Sequence, residues 1–133
     1  MKSHEHAAVG AVVGAIGVAA LRRFSRPVRT VLWAYGLLLS VFIDLDHFLI
    51  ARAKAGDWSH LRAAVADPVW AFTDQESVFG ELTLAFERLL SHTLLGGLLT
   101  LGLYLLSPAV AAYTGLVLYF HVLADIAREA ELA

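Results

Sequence analysis

Two short segments of this chain place acids and histidines where they could act together. FIDLDHFL carries Asp44, Asp46 and His47 at the end of an apolar run, and YFHVLADI carries His121 and Asp125 near the end of another. On a helix, Asp44 and His47 stand at i and i+3, and His121 and Asp125 at i and i+4, so each pair shares a face. An HxxxD pair by itself is more often a structural hydrogen bond than a ligand pair. Joined by His92 in LLSHTLLG and His6 near the start, however, the set offers the imidazole and carboxylate donors of a divalent metal. Cysteine is absent, which removes thiolate ligands, and the remaining donors suit zinc first, then manganese or iron. Asp46 lies about 200° from Asp44 on an ideal helix. It joins the same centre only if the helix loosens there; otherwise it orients a ligating histidine from behind.

The elements that position these residues are apolar. Hydrophobic residues make up 59% of the 133, and mean hydropathy is +0.68; a soluble domain carries about 45–50%. Uncharged runs at 7–21 and 31–43 and apolar stretches at 93–106 and 109–127 predict four helices, near 4–23, 28–53, 91–106 and 108–128. Together they form one domain over 1–133, an all-α integral membrane four-helix antiparallel bundle. The first run is short for a bilayer span of roughly 20 residues, but Arg22 and Arg23 can snorkel. Its Gly10, Gly14 and Gly17 form a stripe suited to close helix packing. A cleavable signal peptide is the rival reading, disfavoured by a single lysine beside Glu5 and by the LRRF that follows. Residues 52–91 hold four bases against six acids, with Pro68 and Gly80 as breakers. This reads as a solvated insertion between helices two and three, in which Leu82, Leu84, Phe86, Leu89 and Leu90 suggest a short helix lying on the membrane or feeding the next span.

Up-and-down connection of four helices brings His6, the Asp44–His47 segment, His92, and His121 with Asp125 to one end. RRFSRPVR, with four arginines and no acid, falls at the other. Ionisable groups in apolar helices cost several kcal/mol and persist mainly where they pair, line a wet cavity or hold an ion. Their coincidence at one end therefore points to a metal centre. His4 is off the face of His6, and His60 lies in the insertion; both stay outside the set. Short basic loops remain cytoplasmic, so the centre is expected on the non-cytoplasmic side. Trp33, Tyr35, Phe42, Tyr104, Tyr113, Tyr119 and Phe120 read as packing residues and interface anchors.

HAAVG at His6, FIDLDHFL, LLSHTLLG and YFHVLADI resemble, in order, the four blocks of the YdjM-like family of prokaryotic inner-membrane proteins, predicted to be metal-dependent hydrolases. Two departures stand out: Ile43 replaces the proline of the family's PDxDH motif, and FERLLSHT replaces its HRGxTHS, so that Glu87 and Arg88 stand where the family has a basic dipeptide. The resemblance implies a prokaryotic inner-membrane location and metal-dependent hydrolysis.

Seven candidate ligands, His6, Asp44, Asp46, His47, His92, His121 and Asp125, exceed the three protein ligands of a typical catalytic zinc, so one or two ions are expected. Asp46 is the preferred general base. A site opening at the membrane surface suits a phosphoester of a lipid or lipid-linked molecule. The alternatives are a membrane metal-handling or transport protein and a non-catalytic structural membrane protein. The net charge of −2 and pI near 6.3 provide no basic field for nucleic acid.

Overall fold

The computed structural model describes residues 3–80 and 82–130; Lys2 and Glu81 of the charge pattern lie outside them. The described chain is all-helical: α1 (Ser3–Ala20), α2 (Arg26–Phe42), a 3₁₀ turn (Ile43–Leu45), α3 (Asp46–Ala55), α4 (Ser59–Ala66), α5 (Pro68–Thr73), α6 (Gln75–Phe79), α7 (Ala85–Tyr104) and α8 (Pro108–Glu129). Helix starts follow local chemistry. Pro27 and Pro108 sit in first turns, where a missing N–H costs nothing. Asp67 caps α5 by accepting from Trp70 N at 2.9 Å, and Gly56 ends α3 with φ 83°.

α1 lies antiparallel on α2. Ser40 Oγ donates to the His6 carbonyl at 2.8 Å, Trp33 Nε1 to that of Ala11 at 3.0 Å, and Arg29 Nε to that of Val18 at 2.8 Å. α8 packs against α1, α2 and α7, and α3 against α7. The glycine stripe makes the approach to α1 possible: a Cβ on Gly10 would stand 2.5 Å from Ser40 Cβ, and one on Gly17 2.8 Å from the Tyr113 ring. Gly36 of α2 faces the Tyr113 hydroxyl still more closely. Leu32, Tyr113 and Val117 form the core at this level.

Polarity is inverted across the long helices. His6, His92, His121 and Asp125 are buried, while Val12, Ile16, Leu38, Leu98 and Leu101 are 52–68% exposed. By length and composition, Arg26–Ala55 and Pro108–Glu129 could cross a membrane. α1 and α7 fall short of the four apolar helices expected, and the cause is local: Ser3–His6 and Glu87–His92 put their polar ends inside the helix proper.

The insertion is more ordered than a solvated loop. α4, α5 and α6 bury Ala64, Val78 and Phe79 with Ala51 and Leu84, flanked by Phe48 and Trp70, which folds the segment back over the end of the bundle that holds His6 and His47. The expected short helix after Leu82 is the first turns of α7, which starts at Ala85 rather than near 91. Helix two also breaks into α2, the 3₁₀ turn and α3. The charges masked this order because Asp57 and Asp67 point outward while the apolar residues recur on the inner face.

Gly36→Val should destabilise the fold by about 1–3 kcal/mol, since the rigid Tyr113 ring must yield. Gly102→Ala, where a Cβ meets open space, should be neutral or slightly stabilising. Thermal unfolding in mild detergent checks both, and equal losses would show that close packing at Gly36 is unimportant.

Candidate metal centre

Six of the seven expected residues come from five elements: His6 from α1, Asp44 from the 3₁₀ turn, His47 from α3, His92 from α7, and His121 and Asp125 from α8. Asp46, the first residue of α3, completes the set. All seven are between 0 and 7% exposed, and the first six form two overlapping groups, His6–Asp44–His121–Asp125 and Asp44–His47–His92. Within each group one donor atom per residue lies within 4.8 Å of the others. Asp44 belongs to both.

The spacings suit ligands around ions. His6 Nε2 stands 3.6 Å from Asp44 Oδ2 and 3.3 Å from Asp125 Oδ1, and His121 Nε2 stands 3.3 Å from Asp44 Oδ1 and 3.6 Å from Asp125 Oδ2. Across the shared carboxylate, His47 Nε2 and His92 Nε2 stand 3.6 and 3.4 Å from Asp44 Oδ1. Two donors about 2.1 Å from one ion at a tetrahedral angle are themselves about 3.4 Å apart. Aligned N–H···O hydrogen bonds would be shorter. Both Asp44 oxygens, His47 Nε2 and His121 Nε2 are buried with no hydrogen-bond partner among the described residues. Buried polar atoms without hydrogen bonds are costly, and a cation in each group would give all four a partner. The buried groups could therefore hold metal.

The 3₁₀ turn explains Asp46. Tightening from about 100° to about 120° per residue narrows the short-way separation of Asp44 and Asp46 from about 160° to about 120°. Asp46 Oδ1 thereby reaches 3.2 Å from His92 Nε2 and 3.7 Å from His47 Nε2. Its other oxygen accepts from Ser91 Oγ. Asp46 thus borders the second group and stands apart from the first.

Several supporting residues escaped the sequence reading. The Gln75 amide meets His47 Nδ1 at 3.3 Å and Ser3 Oγ at 3.1 Å. The amide oxygen accepts from Ser3 Oγ and the amide nitrogen faces the ring, so Gln75 links the start of α1 to His47 and fixes the imidazole's orientation. Ser40, one turn before Asp44, ties α1 to α2 beside the centre, and its i, i+4 spacing was a usable signal. Gln75 gave none, because it comes from the insertion. Of the residues at the departing motif, Glu87 turns outward to Lys54 while Arg88 turns inward, its Nε 3.9 Å from Asp125 Oδ2. His4 is exposed. His60 stacks on Phe79 at 6.1 Å, and the same ring meets His47 edge-on at 5.7 Å, so Phe79 separates His60 from the centre.

Elemental analysis of purified variants tests the arrangement. His121→Ala and Asp125→Ala should release the metal of the first group, and Asp44→Ala should reduce both groups because it is shared, whereas His60→Ala should leave the content unchanged. Full metal retention in His121→Ala would sink the assignment. No known family model, curated protein or solved structure matches this chain.

Proposed function

We propose that the protein is a membrane-bound metal-dependent hydrolase whose four long helices, α1, α2 with α3, α7 and α8, form an antiparallel bundle in a prokaryotic inner membrane. The observation that carries this reading is Asp44, one buried carboxylate common to two donor groups, an arrangement that suits a two-metal hydrolytic centre. The resemblance to the YdjM-like blocks supports it. Zinc is the preferred ion, with manganese or iron as alternatives. A pair of divalent ions would lower the pKa of water and stabilise charge on a phosphoryl group.

The protein's own residues supply the rest. Asp46 is the proposed general base: it borders the centre, and Ser91 holds one of its oxygens. An apolar cavity of about 410 Å³ under α4 and α5, lined by Phe48, Leu61, Ala64 and Phe72, reaches Asp44 at its floor. Apolar walls ending at a polar floor suit an amphiphile, which favours a phosphoester of a lipid or lipid-linked molecule as substrate. A metal-transit function finds less support, because the interior beyond the centre is closed by Leu32, Tyr113 and Val117.

Asp46→Asn should lower kcat for lipid phosphoester hydrolysis by about 10²- to 10⁴-fold while metal content persists. Parallel loss of metal would make Asp46 a ligand instead, and absence of any metal-dependent hydrolysis by the native chain would defeat the proposal. Ala64→Trp should raise KM for a long-chain lipid phosphate and spare a short soluble phosphoester. The four arginines of RRFSRPVR set the other end in the cytoplasm. A reporter fused after Ala133 that is active only in the cytoplasm would contradict the proposed orientation.

A further inference from the structure

A second opening, with a different lining, reaches the centre at His47. A cavity of about 270 Å³ beside the loop before α7 is lined by His47, Phe79, Thr83, Arg88 and Glu129, ample for a phosphate-sized anion and several waters at about 30 Å³ each. Arg88 precedes His92 by one helical turn on α7 and so lies along the face that carries the ligand. Its side chain is 13% exposed; Nη2 pairs with Glu129 Oε1 at 2.5 Å. Nε is buried with no hydrogen-bond partner among the described residues, too far from Asp125 Oδ2, at 3.9 Å, to donate to it. The guanidinium thus has donor capacity left over at the edge of the centre.

Its partner is displaceable. Glu129 is 41% exposed and sits in the last turn of α8, where the helix dipole disfavours an acid. Charge also favours exchange. Three carboxylates, Asp44, Asp46 and Asp125, leave a positive balance once two divalent ions are held; Arg88 adds to it and Glu129 offsets it. An incoming anion can take the place of Glu129, and a guanidinium binds phosphoryl oxygens in the same forked geometry as a carboxylate.

We propose that Arg88 is the phosphate-binding residue of this opening, held by Glu129 in the free protein and transferred to a phosphoryl oxygen of the ligand. This deepens the hydrolase reading and rests on it. It commits to a phosphoryl anion as the group that enters from this side, with any hydrocarbon chain left to the apolar cavity under α4 and α5.

Zinc-loaded protein in mild detergent, titrated calorimetrically with inorganic phosphate, separates the possibilities when zinc content is measured on the same samples. Arg88→Gln should weaken phosphate binding at least tenfold with zinc unchanged, Arg88→Lys should fall between it and the native chain, and Glu129→Gln should tighten binding several-fold by removing the competitor. Native affinity in Arg88→Gln would overturn the inference, as would weakening in Glu129→Gln, which would make the ion pair merely structural. Should Arg88→Gln misfold or lose zinc, Glu129→Gln decides alone, and unchanged affinity there overturns the inference. A native chain that holds no zinc or other metal defeats the hydrolase reading, and phosphate binding by that metal-free chain that does not depend on Arg88 defeats this inference separately.

Discussion

Burial of three carboxylates and four imidazoles at one end of an apolar helix cluster is the constraint on which the rest of the structure depends. Desolvating an unpaired carboxylate costs far more than a few apolar contacts return, and Asp44 has neither of its oxygens in a hydrogen bond. The histidines facing it stand at the mutual spacing of ligands. These buried groups could hold a metal ion. A cation held there would join residues of α1, the 3₁₀ turn, α3, α7 and α8.

The rest of the bundle is arranged to let those side chains meet. His6 reaches Asp44 because α1 presents Gly10, Gly14 and Gly17 toward its neighbours, and Ser40 fixes the register with a hydrogen bond to the His6 carbonyl. Tyr113 from α8 fills the space beyond, against Gly17 and Gly36, and closes the interior below the centre. The polar end and the closed apolar end therefore follow from one packing scheme. Large apolar side chains face outward along the same helices, the reverse of a soluble bundle and the distribution that lipid favours.

The insertion gives the centre two approaches of unlike character. α4 and α5 roof an apolar cavity that ends on Asp44, whereas the loop before α7 and the end of α8 frame a polar mouth at His47 and Arg88. Phe79 is central to this division. It anchors the core of the insertion, lies against His47 and keeps His60 away from the ligands. Gln75, on the same short helix, steadies His47 from behind. An amphiphile with an anionic group would meet complementary surroundings on both sides.

The sequence by itself determined the helical class, the helix order and most of the candidate donor set. Apolar runs of helical length broken at RRFSRPVR and Ser107–Pro108 force antiparallel neighbours, and that order carries His6, Asp44, His47, His92, His121 and Asp125 to one end. Local spacing was enough because each pair shares a helix face. Asp46 was only half legible: an ideal helix turns it away, and its inclusion depends on the 3₁₀ turn at Ile43–Leu45, which backbone geometry settles. Order in the insertion, and with it Gln75 and the wall of Phe79, was hidden because short helices there are stabilised by contacts with Ala51 and Leu84 rather than by their own propensity. The inward turn of Arg88 and the outward turn of Glu87 likewise belong to tertiary structure. Neighbouring charges on one helix point to different faces, and only packing against α8 and Lys54 on α3 decides which of them meets the centre.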